Sequence, residues 1–419
     1  MAIDTQQSRW YERRRHGPLM RSLHMDVPLL VGLLLLVEAQ VVIKGDRRIV
    51  INDDAAKALT APLGQTLLAA LLANDVLIPC ACGGKGTCGT CKCRVLAGGG
   101  DVLPTELSLV NRKERLDHVR LACQLKIKQD LSIRIPEEIF NIQRYDATVV
   151  SNRNVATFIK ELVLELDAGQ AVDFKAGAYM QIEVPEYQAE FRNFEVADAY
   201  RAAWEKFNLL NLRAGTEQPV NRAYSLANPP SEKGLLRFTI RIATPPPGQM
   251  DLPPGVGSSY VFNLKKGDRV VLSGPYGDFF IKPTDREMCF LGGGAGMAPM
   301  RCHILHQLLD LGTTRQMTFW YGARSRQEMF YDEEFQDLQA RFPNFRYHVA
   351  LSEPQPEDHW DGPVGFIHQA AHDLYLQAHP DPTEIEYYLC GPPMMIHAVM
   401  QMLVSLGVER EMIAFDDFG

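Results

Sequence analysis

The feature that most constrains this chain is a group of cysteines around a glycine-rich loop. The chain has nine cysteines, an odd number, and most of them lie in one part of a long sequence. This distribution is not typical of a secreted disulfide framework, and it indicates a metal or cluster site in a reducing compartment. The clustered cysteines are Cys80, Cys82, Cys88, Cys91, Cys93 and Cys123.

Four of these cysteines follow the spacing C-x5-C-x2-C-x31-C, close to that of plant-type [2Fe–2S] proteins but with one extra residue in the first loop. The predicted cluster ligands are Cys82, Cys88, Cys91 and Cys123. Glycines within the loop allow a tight backbone path that directs amide N–H groups at the sulfurs. Zinc is the alternative, but zinc sites usually pair two C-x2-C knuckles, and only Cys88 and Cys91 form one. The roles of Cys80 and Cys93 stay open.

Length and composition bound the rest of the chain. A length of 419 residues predicts two to four domains. The composition, with 46% apolar and 22% charged residues, is typical of a globular protein. The 43 Lys and Arg against 51 Asp and Glu give a net charge of -8. Nucleic acid is therefore not an expected partner, because binding phosphates requires clustered positive charge.

Residues 1–36 form a leader with an Arg-rich stretch at 13–15 and a short apolar run at 27–37. A membrane-spanning helix needs ~20 apolar residues, so a span here is marginal. A secretory signal peptide is disfavoured because no small-x-small cleavage site follows. Three interpretations of the segment stay open: a working membrane anchor, a vestigial membrane anchor and a buried helix. After it, residues 37–137 predict short strands around one helix that Thr66 caps, with the cysteine loop behind the helix.

Residues 138–283 are rich in strand-like stretches and contain the motif Arg222-x-Tyr224-Ser225. Arg222 is suited to pair with a pyrophosphate, Tyr224 offers a flat face to an isoalloxazine ring, and Ser225 places a hydroxyl near its reactive edge. The motif alone is short, and a strand with a salt-bridged arginine is its alternative. Further residues nearby add to a phosphate-binding pattern at a helix start. These predicted cofactor contacts are Asn228, Arg241, Gly255, Ser258 and Ser259.

Residues 284–419 begin with a buried strand at 288–291, a glycine-rich turn and a helix, which is the context in which such a turn cradles phosphate. The predicted nucleotide contacts here are Gly292, Gly293, Gly294, Gly296 and Pro299. Further on, Glu328 is placed to accept from the adenosine ribose 2′-hydroxyl, which favours NADH. Arg324 and Arg326 keep NADPH open.

The last predicted strand ends at Cys390, where ligands gather in open α/β sheets, although an inert buried cysteine is the commoner case. We interpret Cys390 as part of the nicotinamide site. The turn after it supplies three further predicted contacts, which are Gly391, Pro392 and Met394. Near the end of the chain, Phe418 is an aromatic residue suited to stack on a flavin, with a disordered tail as the alternative.

Read in order, these motifs resemble the ferredoxin–NADP reductase superfamily, and with the cysteine domain placed N-terminally they resemble the F subunits of Na⁺-translocating NADH:quinone oxidoreductases. The resemblance covers about residues 37–419. It also rests on the segments at 104–106, 136–140, 156–161, 204–208, 296–301, 321–324 and 416–419, and on an insertion at 185–220. The leader departs from the family, which carries a full hydrophobic helix there.

The resemblance implies a multidomain α+β and α/β chain. Its parts would be a β-grasp ferredoxin domain, an antiparallel β-barrel FAD domain and a Rossmann-like parallel α/β NADH domain. It further implies noncovalent FAD, one [2Fe–2S] cluster, NADH as donor and docking to partner membrane subunits on the cytoplasmic side of the bacterial inner membrane. In the family, Cys390 would lie near the nicotinamide and Phe418 would cover the flavin, so with Ser225 these are the predicted catalytic residues.

The predicted function is electron input: hydride passes from NADH to FAD, and single electrons then pass through the cluster towards quinone by way of the partner subunits. Two other functions stay open. The first is the reductase component of a soluble oxygenase or hydroxylase, with the same cofactors. The second is an iron–sulfur scaffold without flavin turnover.

Overall fold

The computed structural model describes residues 45–246 and 248–417. The predicted leader at 1–36 and Phe418 lie outside the described residues. Within those residues, no helix is both long enough and apolar enough to cross a membrane. The predicted fold class is confirmed, because three parts follow one another along the chain, each built on its own main sheet.

The first part is a five-stranded mixed sheet with one principal helix. Its strands are β1 (Asp46–Ile51), β2 (Asp54–Pro62), β3 (Lys92–Ala97), β4 (Val119–Leu121) and β5 (Leu131–Arg134), in the order β2-β1-β5-β3-β4. Helix α1 (Leu67–Ala73) starts where the Thr66 hydroxyl accepts from the Ala69 N–H, and it buries Leu67 and Leu71 in the same core as the sheet. A second, short helix is α2 (Arg112–Leu116).

A buried ion pair fixes the segment between β3 and β4. The Glu106 carboxylate is completely buried and pairs with Arg120 over 2.7 Å. The same carboxylate accepts from the N–H groups of Leu103 and Leu121, each over 2.8 Å. Arg120 in turn donates to the carbonyl of Gly99 over 2.7 Å. Because all of these charged groups are hydrogen-bonded, the loop is tied to the strand that leads into Cys123.

The second part is a barrel-like antiparallel sheet. Its elements are β6 (Gln143–Ala156), β7 (Ile159–Leu166), β8 (Tyr179–Val184), β9 (Tyr187–Glu190), helix α3 (Asp198–Lys206), β10 (Arg213–Thr216), β11 (Val220–Ser225), β12 (Leu235–Arg241), helix α4 (Val256–Asn263) and β13 (Arg269–Tyr276). Strands β9 and β10 form a separate pair, and the other six run in the order β11-β8-β13-β6-β7-β12. The two edges approach where the Ala227 N–H donates to the Arg237 carbonyl over 2.8 Å.

The insertion between β8 and β11 packs as a small aromatic core on the side of the barrel. Phe191, Trp204 and Phe262 are almost fully buried in it. The indole N–H of Trp204 donates to the Thr157 carbonyl over 2.8 Å. The insertion thereby fixes the turn between β6 and β7, which faces the third part of the molecule.

The third part is a five-stranded parallel sheet with helices between its strands. Its elements are β14 (Met288–Gly293), α5 (Met297–Leu305), β15 (Met317–Ala323), α6 (Asp332–Arg341), β16 (Phe345–Leu351), α7 (Ile367–Leu374), β17 (Glu386–Gly391), α8 (Pro393–Ser405) and β18 (Ile413–Asp417). The order β16-β15-β14-β17-β18 reverses between β14 and β17. Ligands of open α/β sheets bind at such a switch point, and both the glycine turn and Cys390 lie there.

The buried Glu106–Arg120 pair generates a stability prediction. We expect Glu106→Ala to destabilise the first part of the molecule, called the ferredoxin part from here on, by about 3–5 kcal/mol, because it leaves the Arg120 charge buried without its partner. Asp117→Ala is the control, since it removes an exposed pair with Arg94 at 3.3 Å, and such pairs contribute less than ~1 kcal/mol. Urea titration followed by the visible absorbance of the cluster measures both. Equal effects of the two substitutions would contradict this account.

Candidate functional site

One continuous cavity of about 1630 Å³ lies where the three parts meet. Ligand pockets for small molecules usually have ~300–1,000 Å³, so this cavity has room for two nucleotide cofactors. Most of the sequence-predicted site residues line it. They are Cys82, Cys88, Arg222, Tyr224, Ser225, Arg241, Gly255, Ser258, Gly293, Gly294, Gly296, Glu328, Gly391, Pro392 and Met394.

The cysteine loop forms one end of the cavity, and its path depends on glycines in the left-handed region. Gly83, Gly84, Gly86 and Gly89 have φ values of +65°, +84°, +75° and +71°. Other residues adopt such values at a cost, so the loop needs glycine at these positions. The turns direct backbone N–H groups at sulfur, as where Gly84 donates to the Cys80 sulfur over 3.0 Å.

The cysteine thiols of the loop lie close enough to interact with one another. A hydrogen bond from the Cys91 thiol is the main cause that lowers the pKa of Cys123, to about 7. On the other side of the loop, the thiols of Cys80 and then Cys88 lower the pKa of Cys82. Among the described residues, no group of three potential ligands is placed to hold a single metal ion. Neighbouring cysteine thiols fit a [2Fe–2S] cluster, which cysteine thiolates hold, and within the loop only Cys88 and Cys91 have the C-x2-C spacing of a zinc knuckle.

The Arg222 side chain lies between two glycines, one near its guanidinium and one near its aliphatic part. A Cβ atom on Gly83 of the cysteine loop would be 1.9 Å from Arg222 Nη1, and one on Gly257 of α4 would be 2.5 Å from Arg222 Cγ. Arg222 also donates to the Asn221 carbonyl over 2.8 Å. The ferredoxin part therefore contacts the predicted pyrophosphate-binding residue directly, and a side chain at either glycine would displace it.

Ser225 joins the barrel to the last strand of the third part. Its hydroxyl donates to the Asp416 carboxylate over 3.0 Å, and both residues line the cavity. In the parallel pairing of β17 with β18, Asp416 is the partner of Cys390. Ser225, Asp416 and Cys390 therefore lie close to one another in the site. Nearby, Tyr224 has its pKa raised by burial, so its ring stays neutral.

Two further arginines give the cavity a positive side. Desolvation, followed by the positive charge of Arg324, lowers the pKa of Arg241. Both guanidinium groups line the cavity, and adjacent positive charges that repel each other attract phosphate. Arg324 lies 3.7 Å from Glu328 and is in contact with the Phe158 ring.

The glycine turn after β14 is shaped by contact with β17. A Cβ on Gly296 would be 2.1 Å from the Cys390 carbonyl oxygen, and one on Gly293 would be 2.9 Å from the Met395 sulfur. Glycine here allows the start of α5 to approach the end of β17 closely, which brings the turn and Cys390 together. Gly294, with φ of +56°, completes the turn.

Glu328 lines the cavity but already has partners in the barrel. Its carboxylate accepts from the Thr157 N–H over 3.2 Å and from the Thr157 hydroxyl. Thr157 is the residue that Trp204 of the insertion fixes. A contact of Glu328 with the ribose stays a prediction, and the geometry adds a second role for this residue in joining barrel and nucleotide parts.

Several predicted site residues are not among those that line the cavity. Asn228 is fully buried and bridges the barrel edges, accepting from the Arg237 N–H over 2.9 Å and donating to the Leu235 carbonyl over 3.0 Å. Cys91 and Cys123 belong to the ferredoxin core. Ser259, Gly292, Pro299 and Cys390 are buried beneath the wall. The site roles of all these residues stay predictions.

The cavity wall also includes residues that the sequence reasoning did not select, among them Tyr179, Asp278 and Phe366. Tyr179 stacks on Tyr276 with ring centroids 5.4 Å apart. Its pKa is raised, first by desolvation. None of these residues stands in a recognisable motif, and only their place in the fold reveals them.

Comparison with protein families finds one match for each part of the chain. Models of the 2Fe-2S iron-sulfur cluster binding domain, the oxidoreductase FAD-binding domain and the oxidoreductase NAD-binding domain match residues 50–128, 205–281 and 290–401. The predicted cofactors, a [2Fe–2S] cluster, FAD and NADH, are therefore confirmed at the level of these domains.

Among curated proteins, the F subunit of the Na(+)-translocating NADH-quinone reductase of Pseudomonas paraeruginosa is 54% identical, over 93% of this chain and 95% of the relative. The corresponding F subunit of Serratia proteamaculans is 52% identical, over 94% of this chain and 97% of the relative.

Among solved structures, the Amycolatopsis cytochrome P450 reductase GcoB is similar with a TM-score of 0.62 and 25% identity, covering 89% of this chain and 98% of that one. The ferredoxin reductase in carbazole 1,9a-dioxygenase has a TM-score of 0.57 and 27% identity, covering 90% and 99%.

The Gly83–Arg222 approach yields a prediction about FAD. We expect Gly83→Ala to weaken FAD binding at least about 10-fold, because the new methyl group displaces the Arg222 guanidinium and a charged hydrogen bond is lost. Gly84→Ala is the matched control, since it has the same left-handed strain but its Cβ would meet only Leu68, at 3.6 Å. Flavin fluorescence titration of the deflavinated protein measures both dissociation constants. Equal weakening in the two variants would contradict a specific effect on Arg222.

Proposed function

This chain belongs to the family of Na(+)-translocating NADH-quinone reductase F subunits, and from this premise we propose that it oxidises NADH and passes the electrons towards quinone through other subunits of such a complex. The observation that carries the proposal is a continuous cavity lined by the cysteine loop, the motif Arg222-x-Tyr224-Ser225 and the glycine turn after β14. Cofactors bound there would lie close together, as electron transfer between them requires.

When bound, FAD accepts a hydride from NADH and gives up electrons singly, which the cluster accepts one at a time. The chain's own residues supply binding and orientation. Arg222 would hold the pyrophosphate and Tyr224 the ring face, and Arg241 adds positive charge for phosphate. Ser225, oriented by its bond to Asp416, would face the reactive edge, with Cys390 on the nicotinamide side and Phe418 as a cover.

We propose NADH rather than NADPH as the donor. Glu328 offers a carboxylate at the cavity wall, and a carboxylate accepts from a ribose 2′-hydroxyl but repels a 2′-phosphate. The name of the family also gives NADH.

We further propose that the partners are the membrane subunits of the quinone reductase, with the chain on the cytoplasmic side of the inner membrane, held peripherally or by its leader. The domain boundaries we propose are 37–137 for the ferredoxin domain, 138–283 for the FAD domain and 284–419 for the NADH domain. The boundary at 283 falls between β13, which ends at Tyr276, and β14, which begins at Met288, whereas the boundary at 137 falls within the short 3-10 helix Glu137–Asn141 that links β5 to β6.

A soluble oxygenase reductase is the other candidate, because both solved structures described above are, by name, reductases of such systems. Their identities of 25–27% support a common fold, whereas an identity of 52–54% over nearly the whole chain supports the quinone reductase family.

The ligand assignment predicts that one substitution can abolish reduction of the cluster without affecting reduction of the flavin. We expect Cys88→Ala to retain flavin reduction by NADH while losing the electron paramagnetic resonance signal of the reduced cluster, because one iron loses a thiolate ligand. Cys93→Ala is the control, since Cys93 is buried in the strand beyond the loop and is not an assigned ligand. Anaerobic bleaching of the flavin by NADH measures the first step, and low-temperature electron paramagnetic resonance spectra measure reduction of the cluster. A normal signal in Cys88→Ala would show that the ligand set is wrong.

The acceptor can be tested by reconstitution. We expect the full chain to restore NADH-driven quinone reduction to membranes that contain the rest of the complex but lack its F subunit. Co-sedimentation with those membranes is measured for the full chain and for a variant that lacks residues 1–38. The decrease in the amount of sedimented protein gives the contribution of the leader. Transfer of electrons to a soluble hydroxylase, with none to quinone in the reconstituted membranes, would instead favour the oxygenase function.

A further inference from the structure

The ferredoxin part is joined to the barrel by a buried glutamine in the middle of β8. Gln181 is 1% exposed, although its neighbours Met180 and Ile182 face the opposite side and fill the barrel core. Its carboxamide meets the peptide of Cys80 at the start of the cysteine loop. With the amide oriented by the hydrogen-bond pattern, Gln181 accepts from the Cys80 N–H over 3.2 Å and donates to the Cys80 carbonyl over 3.3 Å.

These two hydrogen bonds satisfy a side chain that would otherwise be costly to bury. An unpaired buried amide loses ~1–3 kcal/mol of solvation, so Gln181 is suited to this position only with the cysteine loop against it. An ion pair between Asp75 and Arg144 also connects the two parts, but it spans 3.6 Å and both side chains are exposed. Such a pair adds little to the orientation of the two parts.

Gln181 also stands next to the flavin motif. In the antiparallel pairing of β11 with β8, its partner is Ala223, which lies between Arg222 and Tyr224. On the loop side, Cys80 precedes Ala81 and Cys82, and both of these line the cavity. One side chain therefore spans from the strand that carries the predicted flavin contacts to the backbone that carries the first predicted cluster ligand.

We propose that Gln181 is a positioning residue for electron transfer between FAD and the [2Fe–2S] cluster. By holding the Cys80 peptide, it fixes the distance between the cysteine loop and the flavin wall. In the step it serves, the reduced flavin gives up two electrons one at a time and releases a proton to solvent, and the cluster passes each electron on to the next acceptor before it takes another. The hydride step from NADH takes place on the other side of the flavin site and does not depend on Gln181.

The test compares Gln181→Met with Gln170→Met in the full-length holoprotein. Methionine has the length of glutamine but cannot hold both peptide groups, and Gln170 makes a similar bond, to the Asp146 N–H over 3.2 Å, at an exposed site of the barrel. In anaerobic stopped-flow, we expect Gln181→Met to bleach its flavin with NADH at the normal rate and to reduce its cluster at least about 10-fold more slowly, as misplacement by ~1 Å can do. Gln170→Met should resemble the unmodified protein in both steps.

A second readout does not depend on electron flow. The Cys80 amide should exchange with deuterated solvent about 10-fold faster in Gln181→Met, because its acceptor is lost. The paramagnetic spectrum of the chemically reduced cluster should be unchanged. If Gln181→Met does not fold, Gln181→Asn serves instead, since it keeps the amide but is one methylene too short to reach both groups.

Normal cluster reduction with normal Cys80 exchange would overturn the inference, as would an equal slowing of flavin bleaching and cluster reduction. The inference rests on the electron path proposed above, and the two fail differently. If NADH does not bleach the flavin of the unmodified protein, the path itself is wrong. If the unmodified protein behaves as proposed and Gln181→Met is indistinguishable from it, only the role of Gln181 is wrong.

Discussion

Arg222 can occupy its place only because two backbones approach it without side chains. Gly83 comes from the cysteine loop of the first part and Gly257 from α4 of the second, and a Cβ on either would lie within 2.5 Å of the arginine side chain. Assembly of the site therefore depends on close docking of the ferredoxin part against the barrel. This one contact links the loop that carries the predicted cluster ligands to the residue predicted to bind the flavin pyrophosphate.

The sequence predicts best where local conformation and chemistry require the same residue. The cysteine spacing predicts the loop, and its glycines have the positive φ values that a tight turn around sulfur needs. The turn at 292–296 is predicted with its strand and helix, and the structure adds that Gly296 allows approach to the Cys390 carbonyl. In both places the signal lies within a few consecutive residues, so periodicity and turn chemistry are sufficient to find it.

Residues whose partners come from distant parts of the chain could not be predicted in this way. Asn228 lies three residues after Ser225 of the flavin motif, yet its side chain closes the barrel by bonding to the backbone of β12. Glu328 has a suitable chemistry for ribose, yet its nearest partner is Thr157 of the barrel. Gln181 alternates with core residues and by pattern belongs on a solvated face. Only the docking of a second sheet against that face explains its burial.

The predicted ligands differ in their surroundings, and this difference determines which of them lie nearest to the flavin side of the cavity. Cys82 and Cys88 line the shared cavity, whereas Cys91 and Cys123 are packed in the ferredoxin core. An electron that leaves the flavin side therefore meets the Cys82–Cys88 side of the loop first. That is also the side whose backbone Gln181 holds, through Cys80. Gln181 thus positions the loop on the side where the two cofactors would face each other. Cys91 and Cys123, in contrast, are held by the ferredoxin core, which the Glu106–Arg120 network stabilises.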